Sequence, residues 1–518
     1  MRSRTRYLAS LLTAVFLVLP VAATLATRAT RASPGTLYVS TDGSCGGKSP
    51  CYTNVQDALN FATTGDEIRV ATGIYTDSAG TVAEITKTIT LQGGWNSDFT
   101  ERNRDLYPTT LDAQRDGRVV QITGNISPTI DGFVITKGNA TDEPRDTGYG
   151  GGIHSDDANP IITNNVITDN IGSASTMYMG NGGGLCLEDA STSALISGNQ
   201  ILSNTASTTD WGGGGGVLVA NAAATISGNI ISDNKASTAD LALGSSGGLY
   251  IHGDVTVTGN TISGNIASTA WNGGGGGLYH QAGDLTLTSN TIIHNIASTA
   301  RWGYGGGLML VVSQATLDGN RIISNTASVS GGGLYVSEST PFTITNNIIA
   351  RNRADGAGGG ILVYGSTPYP TSGVLANNTI AQNSLGSGDE GLYATDVTTL
   401  TLTNNIVVSH TYGIFTSSDA TVTADYTLFF GNSSNTGAES GGAIDSTNEV
   451  SGDPVFVDPA TWDYHIQVGS PAINAGTTIP WLTTDIDGDP RPICAAYDIG
   501  ADEYPWCHIY LPLIMKNY

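Results

Sequence analysis

The chain has 518 residues and a formal net charge of −24, and it contains 68 glycines but only 9 phenylalanines. So acidic a chain repels nucleic acid and anionic membrane surfaces, which excludes both as partners and favours Ca²⁺ or other cations. The length is sufficient to bury a large core.

The first 32 residues have the pattern of a secretory signal peptide. Three arginines precede an apolar run from Leu8 to about Ala23, and small residues follow it. A membrane anchor is the alternative, but Pro20 interrupts a run that is already short for a span. We therefore expect a secreted chain that keeps no membrane span once the signal peptide is removed.

The five cysteines fit an oxidising compartment. Cys45 and Cys51 bracket a tight polar loop, so we predict a disulfide between them. Cys494 and Cys507 bracket the last acidic segment, and we predict a second disulfide there. Cys186, which lies between two leucines, is interpreted as a buried thiol that packs like a small apolar residue, with a reactive thiol as the alternative.

A short amphipathic helix is predicted soon after the first cysteine pair. Val55, Ala58 and Leu59 have helical spacing, and the alternation of a strand begins at Ile68. This helix would cover the open edge of whatever sheet follows.

The central part of the chain repeats every 27 to 34 residues, a period that is typical of stacked arrays. One recurring position is an asparagine: Asn165, Asn199, Asn229, Asn260, Asn290, Asn320, Asn347 and Asn378. Five residues later a second asparagine recurs: Asn170, Asn204, Asn234, Asn265, Asn295, Asn325, Asn352 and Asn383. Three residues before that asparagine stands an isoleucine: Ile167, Ile201, Ile231, Ile262, Ile292, Ile322, Ile349 and Ile380.

Each repeat also has an aliphatic residue after its glycine cluster, and its three short segments alternate with a period of two, which excludes helix. Three strands per turn, each parallel to its copy one turn later, predict an all-β fold. That fold is a right-handed parallel β-helix solenoid of about 12 coils, with coils about 4.8 Å apart. We expect the asparagines at its corners, in the left-handed conformation and bonded to the amide one coil up, in a structural role.

Five consecutive coils, between Asn170 and Gly307, have longer loops before their glycines. Glycine is expected where each loop returns, because backbone there passes close to the backbone of neighbouring coils. The stacked loops form a predicted ledge with these residues along it: Tyr178, Trp211, Leu243, Trp271 and Trp302. The aromatic residues either pack the loops together or form a ligand-binding platform for sugar rings.

Acidic residues provide the candidate catalytic and metal sites. Six residues after the second asparagine, successive coils carry Asp210, Asp240, Trp271 and Arg301. Stacked carboxylates would bind Ca²⁺ or share a raised pKa, so Asp210, Asp240 and Arg301 are the candidate catalytic residues of a uronate lyase. The alternative is that these are solvated loop residues.

Two further acidic sets are candidate metal ligands. Asp254 and Asp284 lie on adjacent coils, although aspartate also starts strands after turns. The candidate ligands in TDIDGDPR are Asp485, Asp487 and Asp489. That segment is similar to a calcium loop, but Pro490 stands where such a loop needs glycine.

Past Asn432 the repeat stops, and the segments DPVFVDP, GSPAINAG, TDIDGDPRP and YDIGADEY follow in that order. They resemble the choice-of-anchor Q domain, a C-terminal module of bacterial surface proteins. The repeats resemble the right-handed parallel β-helix repeat family of the pectate lyase-like superfold. The resemblance implies an exported, surface-displayed solenoid, but this superfold hosts lyases, hydrolases, adhesins and passive stalks, so it does not select an activity.

The predicted organisation has five parts: a signal peptide (1–32), an N-terminal cap with irregular coils (33–115), regular coils (116–432), a small C-terminal β module (433–506) and an apolar tail (507–518). We expect a secreted, surface-associated monomer that binds polysaccharide or acts as an adhesin or scaffold, without catalysis and without a required cofactor. The alternative is a polysaccharide lyase or glycoside hydrolase, for which Ca²⁺ is the expected ion.

Overall fold

The computed structural model describes residues 34–77, 80–141, 148–190, 192–339, 341–383 and 389–506. They form a parallel β-helix of about 12 coils. The predicted all-β solenoid is therefore confirmed. The predicted signal peptide (1–32) and apolar tail (507–518) lie outside the described residues.

Three long parallel sheets, which we call A, B and C, form the walls of the tube. Sheet A contains Cys51–Tyr52, Thr36–Val39, Glu67–Ala71, Thr90–Trp95, Thr129–Asp131, Ile161–Thr163, Ser193–Ser197, Ala223–Ser227, Val255–Thr258, Asp284–Thr288, Gln314–Asp318, Phe342–Thr345, Thr371–Ala376, Thr398–Thr403, Thr421–Asp425 and Ala443–Thr447. Sheet B contains Gly73–Tyr75, Thr109–Asp112, Val134–Thr136, Val166–Thr168, Gln200–Leu202, Ile230–Ser232, Thr261–Ser263, Thr291–Ile293, Arg321–Ile323, Ile348–Ala350, Thr379–Ala381, Ile406–Val408, Leu428–Phe430 and Val450–Ser451. Sheet C contains Ala83–Ile85, Val120–Thr123, Ile153–Asp156, Leu185–Glu188, Val217–Ala220, Leu249–His252, Leu278–Gln281, Leu308–Val311, Leu334–Ser337, Ile361–Gly365, Glu390–Asp396, Tyr412–Thr416 and Ser434–Ala438.

Two shorter parallel sheets, D and E, lie between sheets B and C along the chain. Sheet D contains Ile171–Ser173, Thr205–Ser207, Lys235–Ser237, Ile266–Ser268, Ile296–Ser298, Thr326–Ala327 and Arg353–Ala354. Sheet E contains Gly180–Asn181, Gly212–Gly213, Gly244–Ser245, Gly273–Gly274 and Gly303–Tyr304. The remaining elements are an α-helix, two 3₁₀ helices and one antiparallel pair: Val55–Phe61, Cys45–Gly47, Pro459–Thr461, and Phe456–Asp458 with Asp463–Ile466.

The interior of the tube consists of vertical columns of aliphatic side chains. The recurring isoleucines pair in register from coil to coil, as Ile262 does with Ile292, and all eight are fully buried. They belong to one continuous apolar cluster that runs through the coils. Because side chains alternate between the two faces of a strand, every second strand residue lies in this core. Burying these apolar side chains stabilises the fold by about 25 cal/mol for each Å² of apolar surface removed from water.

Both predicted asparagine columns form hydrogen-bonded ladders at the corners of the tube. In a typical rung, the Oδ1 of Asn295 accepts from the backbone N–H and the side-chain amide of Asn265, both at 3.0 Å. The Nδ2 of Asn295 donates to Ile262 O at 2.9 Å and to Asn325 Oδ1 at 3.0 Å. These side chains satisfy backbone groups that the sharp turns leave buried.

We expected the ladder asparagines themselves to adopt the left-handed conformation. In the structure, the residue before each of them adopts it instead. Gly259, before Asn260, has φ +62°, and His294, before Asn295, has φ +55°. The turn therefore divides two tasks between neighbours: the first residue bends the backbone, and the asparagine turns inward to satisfy the buried amides.

A histidine occupies the ladder position that follows Asn383. The Nε2 of His410 accepts the backbone N–H of Asn383 at 3.2 Å, and the His410 N–H donates to Asn432 Oδ1 at 3.0 Å. Complete burial lowers the pKa of His410 to about 4, because the charged ring would be desolvated. The imidazole therefore replaces the amide in its neutral form.

The predicted N-terminal cap is confirmed. Helix Val55–Phe61 buries Val55, Ala58 and Leu59, and the Asn54 side chain caps it by accepting the Gln56 N–H. Its neighbours are the first strands of sheets A and C, so it covers their open edge. Within the described ranges, no helix has the length and apolarity needed to cross a membrane.

The solenoid extends past Asn432, where we expected the repeat to stop. Ser434–Ala438, Ala443–Thr447 and Val450–Ser451 continue sheets C, A and B in register. The structure thus adds one further coil, whose glycine and asparagine spacing no longer matches the repeat. Only the segment after Ser451 is a separate C-terminal module.

This module folds back along the outer face of sheet B. There the later strands, such as Ile348–Ala350 and Ile406–Val408, are buried on both faces, and they form an apolar cluster with Tyr464 and Ile499 of the module. Earlier strands of the sheet, such as Gln200–Leu202 and Thr261–Ser263, bury only their middle residue. The apolar outer face of the later strands explains why the module packs beside the last coils.

Asparagines at the left-handed corners bind the module through side-chain amides. The Nδ2 of Asn377 donates to Asp498 O at 2.8 Å, and the Nδ2 of Asn404 donates to Thr477 O at 2.8 Å. Several earlier coils have glycine at this position, as in SGN, whereas these coils read ANN and TNN. The doubled asparagine alone does not mark the docked module, because the same pair at Asn164 and Asn165 lies in an early coil, where Asn164 donates to Asp131.

The predicted disulfide Cys45–Cys51 is confirmed. Cys494 is disulfide-bonded, whereas Cys507, its predicted partner, lies outside the described residues. Cys186 is buried and is not part of a disulfide. Its side chain lies on the outer side of sheet C, because the inward positions of its strand are held by Leu185 and Leu187.

We expect Asn295→Ala to lower the free energy of unfolding by about 2–4 kcal/mol, because it leaves buried groups of Asn265 and Ile262 without hydrogen-bond partners. Urea unfolding followed by circular dichroism measures the change. The control is Thr286→Ala, an exposed outward position of the same coil, which should stay within about 0.5 kcal/mol of wild type. Equal stability of the two variants would contradict the structural role of the ladder.

We expect His410→Asn to remove an acid-sensitive contribution to stability. Folding lowers the pKa of His410 from 6.5 to about 4. The contribution of the neutral ring to stability is therefore complete above pH 6.5 and is lost as the pH falls toward 4. Between pH 8 and pH 5 the wild type should lose about 2 kcal/mol more than the variant does. Urea unfolding at both pH values tests this, and His252→Gln, on the outer face of sheet C, should behave like wild type.

Candidate functional site

The predicted ledge is built by sheets D and E. In the five long coils, the chain leaves the tube through a strand of sheet D and returns through a strand of sheet E. The return requires glycine: a Cβ on Gly273 would lie 1.6 Å from the Ala297 carbonyl oxygen of the next coil. Buried serines tie successive loops together, as where Ser237 Oγ donates to Asp210 O at 2.9 Å and Ser298 Oγ donates to Trp271 O at 2.6 Å.

These bonds place Asp210 and Trp271 at equivalent positions, as the sequence predicted, and Asp240 lies in a loop that is longer between its serine and its returning glycine. Asp210 and Asp240 nevertheless line one groove of about 460 Å³. Its other lining residues are Thr176, Thr208, Thr209, Thr238, Ala239, Leu241 and Ala242. The groove therefore offers two carboxylates and several hydroxyls, and none of the residues lining it is a cation.

Arg301 does not face these carboxylates. Its guanidinium lies over the ring of Trp271, 4.3 Å from the centroid. Trp271 also contacts Trp302, with 6.3 Å between the ring centroids. Trp271 therefore packs against other ledge residues: Trp302 contacts its ring, and Arg301 is its cation–π partner.

The other three ledge aromatics are exposed. Tyr178, Trp211 and Trp302 keep 46%, 49% and 55% of their surface in contact with water. Met177, Met179 and Leu241 add further exposed apolar surface on the same loops. These loops therefore expose several large apolar side chains along one part of the tube.

A second aromatic row, which the sequence analysis missed, lies on the outer face of sheet C. It occupies the position directly after the first aliphatic residue of each strand: Tyr250, Tyr279, Tyr335, Tyr393 and Phe415. We call this set the tyrosine row. Two pairs on adjacent strands are in contact, with centroid separations of 5.2 Å for Tyr250 and Tyr279 and 5.5 Å for Tyr393 and Phe415, whereas Met309 and Leu362 occupy the same column on either side of Tyr335.

The tyrosines of this row are half-buried. Desolvation raises the pKa of Tyr279 and of Tyr335 to about 12, so their hydroxyls act as neutral hydrogen-bond groups. The recurring sequence GGLY signalled the row, but only the in-register stacking shows that these residues share one face.

Asp254 and Asp284 lie in turns on adjacent coils, and a hydrogen bond from backbone to side chain joins them. The Oδ1 of Asp254 accepts the Asp284 N–H at 2.9 Å, and both side chains are exposed. This arrangement matches the turn-forming alternative considered for the pair.

The structure does not bring Asp485, Asp487 and Asp489 together as a ligand set. The buried carboxylate of Asp485 accepts the backbone N–H groups of Asp487, Asp489 and Glu503 at 2.8–2.9 Å, so it organises the turn. Asp487 instead contacts the His465 ring at 2.7 Å and Arg321 of sheet B at 3.4 Å.

His465 is a centre of charge in the C-terminal module. Its Nδ1 faces Asp463 Oδ1 and its Nε2 faces Asp487 Oδ2, and the Asp487 hydrogen bond contributes most to raising the pKa of His465 to about 9. A protonated ring satisfies both carboxylates. With Asp502, His465 and Asp487 form one of two groups of three ligand-type side chains found among the described residues, and the ion pairs explain its geometry.

The acidic motif YDIGADEY is also structural. Burial raises the pKa of Asp498 to about 7 and that of Asp502 to about 6. Asp498 accepts the N–H groups of Asn474 and Tyr504, and Glu503 forms a buried ion pair with Arg491 at 2.7 Å. These acids therefore hold an irregular segment together.

The second group of ligand-type side chains lies on the outer face of sheet C and consists of His154, Cys186 and Glu188. One nitrogen, sulfur or oxygen atom from each residue lies within 4.8 Å of the others. Sequence spacing does not indicate this group, because its members come from two different repeats.

Comparison with known proteins supports the architecture. Residues 205–385 match the family model described as right handed beta helix region. No curated protein matches the sequence. The chain therefore contains a right-handed β-helix region, as its repeats predicted.

Several solved structures are similar over most of the chain. Pectate lyase Pel9A is 12% identical, with a TM-score of 0.36, covering 91% of this chain and 97% of its own. XylC in complex with xylose is 11% identical, with a TM-score of 0.41, covering 90% and 98%. Tailspike protein 3 of bacteriophage CBA120 is 11% identical, with a TM-score of 0.32, covering 76% and 59%. At these values the similarities assign no activity.

Proposed function

We propose that the chain is an exported, surface-associated protein whose ledge binds extracellular polysaccharide without cleaving it. The observation that carries this proposal is the row of exposed rings formed by Tyr178, Trp211 and Trp302. Flat aromatic faces bind the apolar faces of sugar rings, and nearby polar groups fix the orientation of the ligand. The threonines and carboxylates of the adjoining groove supply such groups.

The contacts of Arg301 support binding over catalysis. A uronate lyase needs a base beside the carboxylates that hold its metal ion and substrate. In the groove of Asp210 and Asp240 no lining residue is a lysine or arginine, and Arg301 is stacked on Trp271. The groove thus lacks the convergence of acid and base on which such chemistry depends.

The tyrosine row extends the proposed surface. It lies on the outer face of sheet C, which the chain reaches directly after the ledge. Its rings are spaced along the axis of the tube, the direction in which an extended chain molecule would contact the most coils. Half-buried aromatic residues add contact area at a low cost in side-chain entropy.

Export and attachment are part of the proposal. They are supported by the pattern of residues 1–32 and by the resemblance of the C-terminal motifs to the choice-of-anchor Q domain. The protein would act as a monomer, without nucleic acid as a partner and without a required cofactor for glycan binding.

We expect Trp211→Ala and Trp302→Ala each to weaken polysaccharide binding about tenfold, which corresponds to about 1.4 kcal/mol. A glycan array identifies the bound polysaccharide, and calorimetry with that polysaccharide measures the dissociation constants. The matched control is Trp481→Ala, because Trp481 is equally exposed but belongs to the C-terminal module. Wild-type affinity in both ledge variants, or an array without any bound glycan, would refute the proposal.

The alternative function is a Ca²⁺-dependent polysaccharide lyase, which is favoured by the shared groove of Asp210 and Asp240. We expect no rise in the absorbance of unsaturated products when the protein is incubated with polygalacturonate or alginate, with Ca²⁺ or with EDTA. Turnover that requires Ca²⁺ and is abolished in Asp240→Ala would establish the lyase and contradict the non-catalytic function.

A further inference from the structure

A compact polar cluster lies on the outer face of sheet C, among its early coils. His154 and Cys186 are register neighbours on adjacent strands, and Glu188 lies two residues further along the second strand. The side chains of His154 and Cys186 are fully buried, whereas Glu188 keeps 22% of its side chain exposed. The cluster therefore has a buried inner part and one edge in contact with solvent.

The hydrogen bonds of Gln121 fix the protonation of one ring nitrogen. Its Nε2 donates to Thr123 Oγ1 at 3.1 Å, and its Oε1 accepts from Arg118, which can only donate. The same Oε1 lies 3.2 Å from the Nδ1 of His154. Nδ1 must therefore carry a proton and act as the donor.

The other ring nitrogen of His154 faces a carboxylate. Nε2 lies 2.9 Å from the Oε2 of Glu188. With the proton on Nδ1, the lone pair of Nε2 and the ionised carboxylate oxygen would repel each other. A cation that both atoms bind, either a proton or a metal ion, removes this conflict.

The ligand atoms favour a metal ion of the zinc type. A thiolate, an imidazole nitrogen and a carboxylate oxygen are the ligands that Zn²⁺ prefers, whereas Ca²⁺ and Mg²⁺ prefer oxygen alone. The thiolate and the carboxylate together neutralise a divalent charge. The bond from His154 Nδ1 to Gln121 is also the outer contact that orients ligating histidines in metal sites.

We propose that His154, Cys186 and Glu188 form a binding site for Zn²⁺ or a similar divalent transition metal. His154 binds through Nε2, Cys186 through Sγ and Glu188 through a carboxylate oxygen, with the fourth position open to water on the exposed side of Glu188. On binding, the thiol proton of Cys186 is released to solvent, and the metal–sulfur bond takes its place.

Cobalt titration of the purified full chain, stripped of metals, tests this site. We expect one equivalent of Co²⁺ to give the d–d absorption of a four-coordinate site and a thiolate-to-cobalt charge-transfer band, and one equivalent of Zn²⁺ to remove both. Cys186→Ser should lose the charge-transfer band. Glu188→Gln, a change at the partly exposed ligand, should weaken binding at least tenfold.

The matched control is His252→Gln. His252 occupies the same register column as Glu188, two coils further along, so it reports on unspecific binding to that face. It should bind like wild type. Because the wild-type spectrum alone shows whether sulfur binds cobalt, misfolding of a variant does not obscure the result. Absence of the charge-transfer band in the folded wild type, or an unchanged affinity in Glu188→Gln, would overturn the proposal.

Discussion

The structure depends on the satisfaction of backbone amides inside the sharp corners of the tube. Parallel stacking pairs the strand amides with the next coil, but the turns between sheets A and B, and between B and D, leave N–H and C=O groups facing inward. Asparagine satisfies both kinds of group, because its oxygen accepts from one coil while its nitrogen donates to a carbonyl and to the next rung. A buried amide without a partner costs about 1–3 kcal/mol, so the five-residue spacing between the two ladders is nearly invariant.

The ladders also decide where function can be located. One ladder holds the turn between sheets A and B, and the other holds the turn where sheet B leads into sheet D; the long loops follow this second ladder, between sheets B and C. There the five extended loops form sheets D and E, and glycine allows each loop to return against the backbone of the next coil. The exposed aromatic residues, the threonine-lined groove, the tyrosine row and the His154 cluster consequently share one side of the molecule.

The opposite side is occupied by the chain itself. Over the later coils the outer face of sheet B is apolar, and the C-terminal module covers it with Tyr464, Ile466 and Ile499. Most of the acids in the module serve its own folding: Asp485, Asp498 and Glu503 accept backbone N–H groups, and Glu503 also pairs with Arg491. These buried carboxylates are therefore committed to hydrogen bonds within the module.

The sequence by itself determined the solenoid, because each rung must repeat the same isoleucine and asparagine chemistry, and a strict spacing such as that of Ile262, Asn265, Ile292 and Asn295 is legible without coordinates. It also determined the ledge, since the glycines and longer loops recur in only five coils. Only the tertiary structure decided which side chains meet across coils: that Arg301 stacks on Trp271, that Asp210 and Asp240 line one groove, and that His154 lies beside Cys186 and Glu188. The physical reason is that loop length and side-chain direction vary between coils, so residues at the same position of two repeats need not be neighbours in space. The docking of the C-terminal module likewise depends on the outer face of several coils together, which no single repeat encodes.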